Sequence, residues 1–138
     1  DGPYSDEVHK AAFESSAASD IFITGYFPHE SFPELYRNSE ACIFPSVNEG
    51  AGLPILEAMA TGIPVACAKA GALPEIAGNN ALFFDSDNIE EFASCIEKIT
   101  TDEVFRKKIS ESALVWSKRF SWKKCVLETL EIIRSVLK

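Results

Sequence analysis

Near the middle of the chain, Ser46-Val47-Asn48-Glu49-Gly50-Ala51-Gly52-Leu53-Pro54-Ile55-Leu56-Glu57-Ala58-Met59-Ala60 joins an apolar run to a helix through a loop with two glycines. The run before it, Ala41-Cys42-Ile43-Phe44-Pro45, reads as a short strand. The helix after it starts at Leu53 or Pro54, continues to about Thr61 and stops at Gly62. Pro54 suits the first helical turn because the N–H it lacks is one the helix would not bond internally. A strand, a glycine loop and a helix in this order form the repeating unit of α/β proteins. Gly50 and Gly52 are expected to allow positive φ and a close backbone approach. The N–H groups around Gly52, Leu53 and Ile55 would then be left for an anion such as phosphate.

The remaining sequence extends the same alternation. Ser5 to Ala18 reads as a helix with an acidic first turn, and Asp20 to Gly25 as a buried strand ending in glycine. Glu30 to Ser39 is a second short helix with Pro33 in its first turn. Ile63 to Ala68 is a further apolar strand, Pro74-Glu75-Ile76 a single turn, and Ala81 to Asp85 another strand. Asn88, Thr101 or Asp102, and Ser121 each begin a helix with apolar positions at spacings of three and four. Trp116 and Trp122 fall on apolar helical positions and are expected in the core. Strands with little polar alternation, separated by helices, indicate a Rossmann-like parallel sheet with helices on both faces. Ligands of such open sheets bind at the carboxyl ends of the strands, where the 46–52 loop lies.

Composition narrows the function classes. With 46% hydrophobic residues in 138, the chain has material for one folded domain. Its formal net charge of −8 disfavours a broad electrostatic grip on nucleic acid, so any phosphate must be held locally. No run is long enough to span a membrane, and the N-terminus has no signal-peptide pattern. Cys42, Cys67, Cys95 and Cys125 match neither a zinc pattern nor a dense disulfide framework. They read as buried free thiols of a cytoplasmic protein. Asp1 is not methionine, so the chain is expected to be a piece of something longer.

Two carboxylates flank the glycine loop. Glu57, about one turn into the helix, is placed to accept hydrogen bonds from a vicinal diol such as a ribose. It equally suits a role complementing the helix dipole. Glu49 is placed to reach sugar hydroxyls, or to sit in solvent as an ordinary loop residue. Glu75 reads as structural, Lys69 as a solvated loop lysine, and His9 as surface polar. His29 and Arg37 have no partner visible in sequence.

Pro45-Ser46, Glu49-Gly50-Ala51-Gly52-Leu53-Pro54, Leu56-Glu57-Ala58-Met59-Ala60, Gly62-Ile63-Pro64-Val65, Gly71 and Leu73-Pro74-Glu75 together resemble the donor-binding half of retaining glycosyltransferases of the GT-B fold, family 4. The likeness covers nearly the whole chain, including Leu35-Tyr36-Arg37-Asn38-Ser39 and Arg119-Phe120-Ser121-Trp122. It implies that Glu49 contacts the hexose of the donor and acts in catalysis through that contact. It also implies that Glu57 holds the ribose, that backbone N–H groups at Gly52 and Leu53 take the distal phosphate, and that Gly50 and Ala51 belong with them to the donor-binding loop. No metal and no cofactor are implied beyond the nucleoside diphosphate sugar, which is a substrate. Ala51 and Ala68 depart from the family, which usually carries a bulky residue and a serine there.

The resemblance further implies that residues 1–138 form a donor-binding domain incomplete at its N-terminus, with 121–138 as its C-terminal helix. Asp1-Gly2-Pro3 would be the end of the domain's second strand. A basic pair that neutralises the donor pyrophosphate and an N-terminal acceptor-binding domain would lie outside the chain. In a sheet of order 3-2-1-4-5-6, two strands would separate Ile21–Thr24 from Ala41–Phe44. The expected activity is transfer of a sugar to an acceptor with retained configuration. Docking of the last helix on the acceptor domain or near a membrane stays open. The competing reading is a non-catalytic nucleotide-binding or regulatory α/β module.

Overall fold

The computed structural model describes residues 4–137, so the expected strand end at Asp1-Gly2-Pro3 and the last residue of the expected 121–138 helix lie outside the described residues. The chain divides into two compact units, residues 1–32 and 33–138. The first holds helix α1 (Ser5–Glu14), a 3-10 turn at Ala18–Asp20 and a second at His29–Ser31. The His29 and Phe32 rings meet edge to face at 5.8 Å, a contact that supplies a neighbour for that histidine.

The expected strand over Asp20 to Gly25 does not form. Ile21, Phe22 and Ile23 lie in irregular backbone and are 42%, 83% and 43% exposed. An apolar run becomes a strand only when a neighbouring strand takes up its N–H and C=O groups. No ladder pairs with this run among the described residues.

In the second unit, helix α2 (Phe32–Arg37, entered from the first unit) is followed by strand β1 (Cys42–Phe44), α3 (Leu53–Thr61) and β2 (Val65–Ala68). Then come α4 (Leu73–Ala77), β3 (Leu82–Phe84), α5 (Ile89–Thr101), α6 (Glu103–Ser117) and α7 (Trp122–Val136). The three strands lie in the order β1-β2-β3, all parallel, with Ile43 opposite Ala66 and Cys67 opposite Phe83. All four residues of β2 are fully buried. Because successive side chains of a strand point to opposite sides, complete burial means that both faces of the central strand are covered. Helices α3 and α5 both pack on β2. This is the Rossmann-like α/β arrangement expected from the sequence.

The core is built from Ile55 and Met59 of α3, Val65 and Cys67 of β2, Leu73 of α4, Phe84 of β3 and Ile99 of α5. The Phe84 ring meets Phe92 of α5 edge to face at 4.8 Å, tying that helix to the sheet. Helix α6 clamps the layers. Trp116 Nε1 donates to the Ile76 carbonyl at 2.7 Å, and the Ser110 hydroxyl donates to the Gly62 carbonyl at the end of α3. The anticipated caps are present: Asn88 Oδ1 accepts from Glu91 N at 3.0 Å, Asp102 Oδ1 from Phe105 N at 2.9 Å and Ser121 Oγ from Lys124 N at 3.2 Å.

Helix α7 departs from expectation. None of its residues is buried, and Trp122, expected in the core beside Trp116, is 77% exposed. Cys125 is exposed as well, and Cys42 is only half-buried, so the reading of four buried thiols holds for Cys67 and Cys95. Periodicity identifies which side of a helix is apolar, and a covering surface is a separate requirement.

Cys42 and Cys67 lie on the same face of the sheet, since Val65 pairs with Cys42 and Cys67 with Phe44. Burial pushes the Cys42 thiol up to about 11, and burial with Cys42 and Cys95 nearby pushes Cys67 up to about 12. A thiol that holds its proton more tightly in the folded state contributes stability at neutral pH that is lost as pH rises through its folded pKa. Unfolding stability is therefore expected to fall from pH 9.0 toward pH 11 in denaturant titrations, with a shallower slope in Cys67→Ala.

Candidate functional site

The site lies at the carboxyl end of β1, where the chain leaves Phe44 and enters α3. Gly52 caps the helix in the left-handed region, at φ 60° and ψ 36°, a conformation that costs other residues about 1–2 kcal/mol. It is also buried tightly: a Cβ on Gly52 would come within 2.8 Å of Leu73 Cδ2. Pro54 occupies the first turn, and Ile55 N donates to the Gly52 carbonyl at 3.2 Å. The N–H groups of Gly52 and Leu53 donate to no acceptor among the described residues. Such groups at a helix start, reinforced by the helix dipole, suit an anionic oxygen.

Gly50 does not share this role. It is exposed, lacks a positive φ, and has open space where a Cβ would stand. The expectation that both glycines supply special backbone geometry is corrected: Gly52 supplies it, and Gly50 and Ala51 form the open rim of the loop. Leu53 is exposed at the helix start, while Ile55, Ala58 and Met59 turn into the core and anchor the other side of α3.

Glu49 is held at both its backbone and its carboxylate. Its carbonyl accepts from Ala72 N at 3.1 Å, and its Oε1 accepts from Ser46 Oγ at 2.9 Å. Gly71, at φ 54°, lies so close that a Cβ there would stand 2.7 Å from the Glu49 carbonyl oxygen and 3.0 Å from its nitrogen. The loop after β2 therefore braces the loop after β1. In the sequence, Gly71 stands out only as part of a family resemblance. Its signal was a glycine followed by a proline-started turn, which marks a special backbone position without revealing what it touches.

Glu57 is half-buried on the second turn of α3, and Tyr36 of α2 is close enough to feel its charge. Burial, then Cys42, then Glu57 push the Tyr36 phenol up to about 12. Glu75 is exposed in the first turn of α4, and the Lys69 side chain is exposed while its N–H donates to the Phe84 carbonyl at 2.8 Å. Arg37 lines a separate cleft of about 440 Å³ at the far end of α3, with Thr61, Gly62 and Arg106. Arg106 pairs there with Glu40 at 3.3 Å. That cleft contains none of Glu49, Gly50, Ala51, Gly52, Leu53 and Glu57. Among the described residues no cluster of His, Cys, Asp or Glu is placed to hold a metal ion, and no helix is long and apolar enough to cross a membrane.

An open parallel sheet with a glycine-capped helix and two carboxylates at its carboxyl end defines a Rossmann-like domain with a candidate phosphate and sugar site. The chain belongs to the family described as glycosyl transferases group 1, whose profile matches residues 1–116. It is 37% identical over 106 residues to O-antigen chain mannosyltransferase B of Escherichia coli, covering 77% of this chain and 28% of that protein. The chain thus spans little more than a quarter of that relative. A sucrose-phosphate synthase from Thermosynechococcus elongatus superposes with a TM-score of 0.85 at 21% identity, over 96% of this chain and 34% of the other, a likeness of fold. The C-terminal domain of a glycosyl transferase group 1 family protein (LpcC) from Francisella tularensis superposes with a TM-score of 0.68 at 27% identity. That match covers 86% of this chain and 64% of the other.

The brace between the two loops yields a comparison of glycines. Gly71→Ala is expected to lower stability by about 1–3 kcal/mol, through a left-handed φ and contact with Glu49 backbone that cannot give way. Gly50→Ala is expected to fall within about 0.5 kcal/mol of the parent. Denaturant unfolding of both variants checks the ranking.

Proposed function

We infer that the chain is the donor-binding part of a glycosyltransferase that moves a sugar from a nucleoside diphosphate sugar to an acceptor. The observation that supports this reading is the helix start at Gly52, whose N–H groups, unbonded among the described residues, lie in the chain between Glu49 and Glu57, the two carboxylates that the resemblance implies for the donor. The N–H groups of Gly52 and Leu53 take an oxygen of the distal phosphate. Glu57 accepts hydrogen bonds from the ribose diol, and Glu49, steadied by Ser46 and by Ala72, faces the hexose.

In this reading the residues act by positioning the donor and by stabilising charge on the departing diphosphate. As the bond between the sugar and the diphosphate breaks, negative charge grows on the phosphate oxygens. A fixed N–H pair at a helix start is already oriented toward that charge. Retention of configuration follows from the family resemblance. The rest of the enzyme supplies the acceptor domain and a basic pair for the pyrophosphate. Charge-assisted hydrogen bonds contribute about 1.5–3 kcal/mol each, so without two of them donor binding would weaken about 10²- to 10⁴-fold.

Ligand-observed NMR of the full-length protein against UDP-, GDP- and ADP-sugars tests this reading. Glu57→Gln is expected to lower affinity for the preferred donor by about 10-fold or more. Full affinity in that variant overturns the ribose role. The 138-residue chain alone is expected to show little or no transfer, and robust turnover by it would contradict the split site.

A further inference from the structure

Glu49 must hold its carboxylate still if it is to receive one hydroxyl of a hexose, yet a glutamate side chain turns about three bonds with no intrinsic preference for one direction. Its own loop supplies the restraint. Ser46 follows β1 by two residues and is half-buried, Val47 and Asn48 turn out to the surface, and Glu49 returns to a half-buried position. The Ser46 hydroxyl closes this excursion by donating to Glu49 Oε1 at 2.9 Å. The Glu49 peptide is fixed separately, by the Ala72 N–H on its carbonyl and by the close approach of Gly71. Both ends of the residue are thus tied, the backbone to the loop after β2 and the carboxylate to the end of β1. Glu49 Oε2 accepts no hydrogen bond among the described residues. An ionised carboxylate only accepts, so with Oε1 taken by one hydroxyl, the positions left open call for a further donor.

We propose that Ser46 is a positioning residue for the sugar subsite: by occupying Oε1 it fixes the plane of the Glu49 carboxylate and leaves Oε2 as the acceptor for a hydroxyl of the transferred hexose. A half-buried acceptor left without a partner is costly, so the arrangement favours a donor whose sugar carries that hydroxyl. Ser46 acts on Glu49 and not on the ligand, so its effect is confined to ligands that carry the hexose. The proposal rests on the reading of Glu49 as the hexose partner.

A double-mutant cycle in the full-length protein tests it. Titration calorimetry with whichever UDP-, GDP- or ADP-sugar binds most tightly, and with the same nucleoside diphosphate lacking the sugar, is run on the parent, Ser46→Ala, Glu49→Ala and the double variant. Glu49→Ala removes the carboxylate and keeps the carbonyl that Ala72 binds. Ser46→Ala is expected to weaken the nucleotide sugar by about 3- to 10-fold and the bare nucleoside diphosphate by less than about twofold. The double variant is expected to bind the nucleotide sugar within about twofold of Glu49→Ala, as coupled residues do. An equal loss for both ligands, the same loss in the Glu49→Ala background, or no loss in Ser46→Ala overturns the proposal. A loop disturbed as a whole would weaken both ligands alike, because it would also move the phosphate site at Gly52. If Glu49→Ala keeps full affinity for the nucleotide sugar, the hexose reading fails first. If that variant loses affinity while Ser46→Ala does not, only the positioning role fails.

Discussion

The contact on which the site depends is the one between two loops: Ala72 N–H on the Glu49 carbonyl, with Gly71 pressed against the same peptide. Each loop alone is a short connection at the carboxyl end of a strand. Joined, they fix Glu49 and set Gly52 over the buried Leu73. The helix start cannot shift without breaking the fit on Leu73, and Leu73 cannot shift without disturbing the core around Met59 and Phe84. The orientation of the Gly52 and Leu53 N–H groups is therefore set by packing below the site.

That dependence also explains the division of labour along α3. Its inner side, Ile55, Ala58 and Met59, is fully buried, so the helix is rigidly seated on β1 and β2. Its N-terminal end carries the unbonded N–H groups, and Glu57 lies on the half-buried flank. The rigidity needed to pre-orient hydrogen-bond donors comes from the apolar residues, and the chemistry from the few polar groups at the rim. Helix α6 contributes at a distance, its Ser110 and Trp116 holding the end of α3 and the carbonyl of Ile76.

Much of this was legible in the sequence because it is local chemistry. The strand, loop and helix around Gly52, the proline in the first turn of α3, and the caps Asn88, Asp102 and Ser121 each follow from what a residue does to its own backbone. The failures share a different cause. Among the described residues, Ile21–Thr24 has strand composition and no ladder, and Trp122 and Cys125 have helical apolar positions and no cover. Gly50 and Gly52 look alike in sequence and differ because only one has Leu73 beneath it. The brace by Gly71 joins positions 22 residues apart in the chain, and no local pattern encodes which peptide a glycine will meet. Pairing and covering are properties of partners, which composition and periodicity do not identify.

Hydrogen exchange of the full-length protein with and without a nucleoside diphosphate reads whether the braced loop and the start of α3 receive the diphosphate and ribose of a donor. If they do, exchange slows in a peptide spanning Ser46 to Glu57 and in the bracing residues Gly71 and Ala72. Protection confined to the cleft around Arg37, Thr61 and Arg106, with Ser46 to Glu57 unchanged, would contradict that role.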